Sequence, residues 1–453
     1  MSMHADVAVI GSGFSSVALS LNLVDVLPAT ARVCLVGATR KRGRGIAYAA
    51  NGDCLLLNVP AGRMSLFADR PNHFVDWLAE NGRSAAGNDY VPRQLYGRYL
   101  GDSLDAALKR TANRAALSLV DAEACSAEPV QDGSLTFRLS DGARLHTDFA
   151  VLCTGAGTAR LPLRADQLSS DNHPFIVHDP WAEDWLERVP SDGDILLVGT
   201  GLTMIDQCLL LKERGFRGTI HAVSRHALLP QAHLTERAEP TTPVLSAGGG
   251  EVSEMLAILR AAADAAPDWR AVMDGLRPVT REIWACWSPA QQGRFLRHAA
   301  TFWNVHRHRM APRVARGIET LQRSGQLRCH KGRLEAVRRV GRRVEARINA
   351  RDGFALTTDL VVNCTGFDRC TAKTSPFLAS LADQGLIQPD RAGLGIAVDE
   401  HSAAIAAGGK GKPRLYAMGP LTAGRHWEIT AVPDIRVQAR SVAETIGARV
   451  STG

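Results

Sequence analysis

The 453-residue chain has no run of about 18 uncharged apolar residues, the length a helix needs to cross a bilayer, so no transmembrane helix is expected. No basic segment and apolar run precede the first apolar strand at Val7, so no signal peptide is expected either and the cytoplasm is the expected compartment. Cysteine is sparse: nine residues, none in CxxC spacing and none in a paired zinc pattern. That argues against a redox enzyme working through a cysteine pair, because the nearest two, Cys364 and Cys370, are poorly spaced for it. Most of the nine sit in apolar strands as small hydrophobes, which fits a reducing compartment. Aromatic residues make up only 6% of the chain, and no basic run is interleaved with them, so a single-strand nucleic-acid platform is excluded. The net charge of +7 comes from scattered arginines and reads as a solvated surface. His306 and His308 lie two apart, on different faces of a helix, and no metal site is expected.

What is present is a chain of ordinary globular composition, 45% hydrophobic and 22% charged, long enough for roughly three domains. Its opening stretch, VAVIGSGFSSVALS from Val7 to Ser20, reads as a buried strand, a glycine turn and a helix. Gly11 allows the tight turn, and Gly13 lets the backbone approach a pyrophosphate. Ser16, where a third glycine or alanine is usual, is small enough for close helix–strand packing. The free amides of the helix start, with its dipole, suit phosphates. The second strand, Arg32–Val36, ends in Gly37 where an acidic residue normally holds a ribose hydroxyl. Arg44 lies between Gly43 and Gly45 in a loop suited to the cofactor side.

DILLVGTGLTMID (194–206) repeats the opening design, with Gly199 and Gly201 in the turn and Leu202 and Thr203 at the helix start. Its second strand, 218–224, ends in Arg225 and His226, a positive end able to accept a 2′-phosphate; a plain exposed arginine is the other reading. Two strands ending in Thr-Gly, 149–155 and 359–366, follow the two fingerprints. Two devices in one chain predict FAD in the first site and NADH or NADPH in the second. The expected architecture is α/β, with two Rossmann-like dinucleotide-binding domains. The FAD domain is discontinuous, 1–160 and 355–453. The NAD(P)H domain is 161–354, with a helical insert at about 251–321. Asp132-Gly133 and Asp141-Gly142 predict a hairpin or meander over 117–148. Helices are expected at 74–80, from the 90–100 stretch to near Arg110, and from about Thr430 to the end.

The segments GSGFSSVAL, GRGIAY, LNVPAGRMS, YVPRQLYGRYL, GTGLTMID, SRHALLPQAH, VHRHRMAP, NCTG, AMGPLT and HWEITAVPDIR together resemble a bacterial family of FAD/NAD(P)-binding proteins. That family includes FAD-dependent urate hydroxylases and flavin-dependent aspartate N-hydroxylases. The resemblance spans nearly the whole chain, and Gly37 departs from it. It implies that Gly11, Gly13, Phe14, Ser15 and Ser16 bind the FAD pyrophosphate, that Thr154 and Gly155 approach FAD, and that Gly199, Gly201, Leu202 and Thr203 cradle NAD(P)H. Gly419 and the stretch from Ile429 and Thr430 to Pro433 are then placed by the flavin ring. The implied activity is a monooxygenase, with urate hydroxylation to 5-hydroxyisourate using NADH and O₂ as the specific expectation. Urate is a planar anion, and Arg63, Arg93 and His426 are its candidate partners; each could instead be surface or structural. N-hydroxylation of aspartate or another small amine, an NAD(P)H:acceptor reductase and a non-catalytic flavin redox sensor are the alternatives. Neither a membrane nor a nucleic acid is expected as a partner.

Overall fold

The computed structural model describes residues 2–38, 43–50, 52–109, 114–157, 159–164, 167–168, 174–182, 184–236, 238–245, 250–368, 370–408 and 414–451. The first sheet is built from β1 (Ser2–Ile10), β2 (Arg32–Val36), β3 (Ala116–Val120), β4 (Ala124–Pro129), β5 (Leu135–Leu139) and β6 (Arg144–Leu152), in the order β3-β2-β1-β6-β5-β4. Val7, Ala8, Val9 and Ile10 are all buried because helices or loops cover both faces of this central strand. The 117–148 expectation is corrected at its start: β3 pairs parallel with β2, and only β4, β5 and β6 form the antiparallel meander. β6 then runs on as the parallel neighbour of β1, so one strand serves both the meander and the nucleotide-binding layer.

The second sheet is fully parallel. It combines β7 (Ile176–Val177), β8 (Asp194–Val198), β9 (Thr219–Ser224), β10 (Leu327–Lys331) and, after a three-stranded antiparallel sheet of β11 (Arg333–Val340), β12 (Arg343–Asn349) and β13 (Phe354–Thr358), strand β14 (Leu360–Asn363). The order is β10-β9-β8-β14-β7. The expected return to the first unit at 355 therefore comes later, because Leu360 to Asn363 pair with β8. First-unit packing resumes with Ala372, Leu378 and Leu381, which share a core with β5 and β6. β15 (Leu415–Ala417) completes the first sheet as a parallel partner of β6. The last helix, Val432–Val450, packs on the first, Phe14–Val26.

The 251–321 region is helical, in six segments from Val252–Ala265 to Pro312–Arg323. The last of them belongs to the second unit's core, since Val314, Ala315, Ile318 and Leu321 pack with Ile205 and Leu209. Four of the others enclose an aromatic cluster of Trp284, Trp287 and Phe295 that also takes in Leu394 and Trp427 from the C-terminal part of the chain. The helix predicted to end near Arg110 spans Arg93–Leu108, and Arg110 itself lies outside the described residues, as does Arg42 of the 42–49 loop. No helix among the described residues is long and apolar enough to cross a membrane.

Candidate dinucleotide sites

The two glycine turns are built on one plan. Gly11 has φ +137° and Gly199 φ +114°, a region open to glycine. The Gly11 amide donates to the Val36 carbonyl at 2.8 Å, and the Gly199 amide to that of Val223 at 2.8 Å. A Cβ at Gly11 would lie 2.3 Å from the Cys153 carbonyl oxygen; one at Gly199 would lie 2.3 Å from that of Cys364. Each cysteine is followed by an exposed threonine and a glycine of positive φ: Thr154 and Gly155, then Thr365 and Gly366. The helices Phe14–Val26 and Leu202–Glu213 start from Gly13 and Gly201, and neither start has a side-chain cap or a first-turn acid. Their first-turn amides are thus left for an anion.

Around the first turn the backbone is crowded. Gly45 sits against Gly13, where its Cβ would be 3.1 Å from the Gly13 Cα. Gly43 leans on Val17, and Arg44 lies along Gly97. Gly37 has no room for a side chain: a Cβ would be 2.8 Å from the Ser12 Cβ and 2.9 Å from the Gly11 carbonyl carbon. The missing acid at the end of β2 is therefore a packing consequence. Gly419, with φ +67°, abuts the Ser15 hydroxyl, and its amide donates to Gln438 Oε1 at 2.8 Å. Buried Arg44 Nε and the Tyr96 hydroxyl have no hydrogen-bond partner among the described residues, and Tyr96 packs beside Phe14 and Tyr48. A narrow glycine cradle under a helix start, with unpaired polar atoms beside it, fits a dinucleotide pyrophosphate.

The segment from Gly424 to Asp434 is stapled to the helical insert. Trp284 Nε1 donates to the Gly424 carbonyl at 2.8 Å, and its ring stacks on Trp427 at 4.6 Å. Arg307 Nε donates to Glu428 Oε2 at 2.8 Å, and Trp303 Nε1 donates to Glu428 Oε1. Arg277 pairs with Asp434 at 3.0 Å. Glu428 holds φ +66°, a strained conformation for a non-glycine residue. Ile429 is fully buried, and Thr430 stands two residues before the last helix.

Two of the three residues expected to meet an anionic substrate are buried within the protein. Arg93 is buried: its Nε donates to the Leu56 carbonyl at 3.0 Å, and its two terminal nitrogens donate to Asp206 at 2.7 and 3.0 Å. Burial pushes the Asp206 carboxyl up, and the guanidinium opposes the shift. His426 is also buried. It accepts from Arg281 through Nδ1 at 3.1 Å and faces Ser402 through Nε2 at 3.5 Å. Burial first, then Arg281 and Arg425, push its imidazole down to about 4, so at neutral pH it is no cation for an anion to meet. Arg63 remains exposed on the turn Ala61–Arg63, and Arg225 is exposed just past the end of β9. Leu202 and Thr203 are half-buried at the second helix start.

Sequence reasoning missed Asp206, Glu428, Arg281 and Gln438. The one local signal was a charged or amide residue inside an otherwise apolar helical run, as in MIDQCLLL around Asp206. Among the described residues, His4, His146 and Asp148 come within ligand distance of one another, but Arg32 already donates to His4 Nδ1 at 2.6 Å.

Residues 8–157 match a family model described as FAD-NAD(P)-binding. The chain is 24% identical to an uncharacterized protein of Mycobacterium tuberculosis (strain H37Rv), over 97% of this chain and 95% of that one. Among solved structures it is similar to the ornithine N-hydroxylase of Kutzneria sp. 744, described with reduced FAD, NADP⁺ and L-ornithine, at TM-score 0.66 and 16% identity, covering 99% of this chain and 100% of that chain. It is likewise similar to the FAD-bound cadaverine monooxygenase of desferrioxamine biosynthesis from Erwinia amylovora, at TM-score 0.65 and 12% identity, covering 98% and 94%. The fold is that of two-domain FAD/NAD(P)-binding flavoproteins.

Proposed function

We propose that this protein is an FAD-dependent monooxygenase that takes its electrons from NADPH or NADH. The observation that carries the reading is the duplicated open turn at Gly11 and Gly199, each backed by a Cys-Thr-Gly strand end, in a chain without a redox-spaced cysteine pair. FAD, when bound, supplies acceptance of a hydride from the nicotinamide and activation of O₂. Gly11, Gly13, Phe14, Ser15, Ser16 and Arg44 would hold the flavin dinucleotide, with Thr154 and Gly155 at the adjoining strand end. Gly199, Gly201, Leu202 and Thr203 would hold the nicotinamide dinucleotide. Arg225 would meet a 2′-phosphate, which favours NADPH. Gly419, Ile429 and Thr430 would border the flavin ring, and the insert fastened over 424–434 would keep water from it.

A small amine is the substrate class we favour. Ornithine and cadaverine are the substrates named for the two structural neighbours. For the urate reading, Arg93 and His426 are buried, and Arg63 is the exposed candidate of the three. Aspartate stands with the amines. The test is NAD(P)H oxidation by the purified yellow protein in air, with ornithine, cadaverine, aspartate or urate added singly. Hydroxylamine product formed with little hydrogen peroxide supports the amine reading. Urate lost in step with NAD(P)H replaces it with the urate reading. Turnover with a dye but no oxygen insertion with any substrate makes the protein a reductase. A colourless protein that binds no flavin removes the proposal.

A further inference from the structure

The two turns are joined by one unbroken chain of packed groups. Gly45 touches Gly13; Arg44, next to it, lies on Gly97 of the helix Arg93–Leu108, and a Cβ at Gly97 would be 2.6 Å from the Tyr48 carbonyl oxygen. Arg93, the first residue of that helix, crosses to Asp206 in a two-point ion pair whose side chains are 9% and 7% exposed. Asp206 lies five residues past Gly201 on the helix that starts at the second turn. The Arg93 guanidinium is itself held in plane by the Leu56 carbonyl, and Leu56 sits in the second unit's core. A further contact follows the same seam: Cys54 Sγ lies 3.2 Å from Glu213 Oε2.

We infer that Arg93 and Asp206 are a positioning pair, a geometric clamp that sets the second turn relative to the first and so fixes the nicotinamide against the flavin. This rests on the two-cofactor reading above. Neither residue touches a reacting atom; both act through the helices that carry Gly97 and Gly201. A planar guanidinium bonded at two points and at Nε allows one orientation of the two helices, whereas an ammonium would hold the charge and release the angle. The transfer of a hydride, two electrons with one proton, from nicotinamide to flavin depends steeply on that placement.

The test is anaerobic reduction of the holoenzyme flavin by saturating NADPH, and by NADH, in a stopped-flow instrument. A wild-type flavin that neither donor reduces refutes the two-cofactor reading itself. With wild type reduced, Arg93→Lys is expected to keep its flavin content, thermal midpoint and reoxidation rate by O₂ after dithionite reduction. Its dissociation constant for NADP⁺ should stay within about threefold, while its limiting reduction rate falls about tenfold or more. Asp206→Asn should do the same, and the double variant should be no slower than the slower single, as expected of two residues acting as one unit. Unchanged reduction in Arg93→Lys overturns the inference, and so does an equal loss in binding, stability and reoxidation. If the single variants do not fold, the charge-free Arg93→Met/Asp206→Leu pair, similar in volume, takes their place under the same criteria.

Discussion

Gly199 lies so close to Cys364 that a Cβ on it would sit 2.3 Å from the Cys364 carbonyl oxygen, while two residues on, a Cβ at Gly201 would meet nothing within 4 Å among the described residues beyond its own helix and chain neighbours. One glycine is thus required by the fold and the other is free of it. Gly201→Ala is expected to leave the thermal midpoint and bound flavin unchanged and to raise the KM for the nicotinamide cofactor about tenfold, because its methyl enters space left for a ligand. Gly199→Ala is expected to destabilise the chain by about 3 kcal/mol or more, through both its positive φ and the clash. Thermal unfolding with cofactor titration separates them. A Gly201→Ala protein with unaltered KM would rule out the second site. By the same reasoning Gly11→Ala is a test of folding and Gly13→Ala the cleaner test of flavin binding, since among the described residues a Cβ there meets only the Gly45 Cα, at 3.8 Å.

Glu428 ties the helical insert to the segment before the last helix, with 7% of its side chain exposed and 11% of that of Arg307. Removing one partner of a buried pair leaves the other charge unsatisfied, at a cost of about 3 kcal/mol. Glu428→Ala is expected to lose that much in urea unfolding. It should also raise the share of NAD(P)H electrons released as hydrogen peroxide, because the insert no longer seals the segment. Glu428→Gln keeps an acceptor for Trp303 and should fall between. A Glu428→Ala enzyme as stable and as well coupled as wild type would remove the sealing role.

The nucleotide-binding frame was legible because it is local: strand, glycine, glycine and helix lie within fourteen residues, twice, and the first glycine of each turn, Gly11 and Gly199, has the positive φ that a tight turn demands. The insert was legible from helical periodicity, but its allegiance was not. Trp284 stacks on Trp427, and Arg307 reaches Glu428, across more than a hundred residues, and no local pattern encodes such pairs. The same holds for Arg93. In sequence it is a cation in a polar stretch, and only the approach of Asp206, 113 residues away, turns it from a substrate candidate into an internal clamp. Gly37 was read as a missing acid; the three-dimensional contact with Gly11 and Ser12 gives the reason for the absence.

Arg63 separates the two substrate classes. Of the three residues expected to hold an anion, it alone is exposed. If the substrate is an anion bound there, Arg63→Ala should raise its KM about tenfold with kcat unchanged, the signature of lost uniform binding. With an amine substrate both constants should stay within about twofold of wild type. Steady-state kinetics with whichever substrate turns over decides between them.

His426 makes stability depend on pH in a window that can be worked out. Its imidazole titrates near 4 in the folded protein and near 6.5 in an unfolded chain. Between those values the unfolded state binds more protons, so stability rises with pH, is complete above about 6.5 and is lost as pH falls toward 4. The full effect of this one residue is about 3 kcal/mol. Burial also holds His221, His330 and His308 below their ordinary value, so they act in the same direction. Urea unfolding of wild type is therefore expected to weaken from pH 7 to pH 4.5, a range that lies above the titration of Asp132 and Asp194, whose carboxyls are held low, while Asp206, whose carboxyl burial pushes up, acts in the opposite direction and is common to wild type and variant. His426→Gln keeps an acceptor for Arg281 and cannot be protonated, so its unfolding free energy should change less over the same range. Parallel pH slopes in wild type and His426→Gln would mean that the buried imidazole is not the group that titrates.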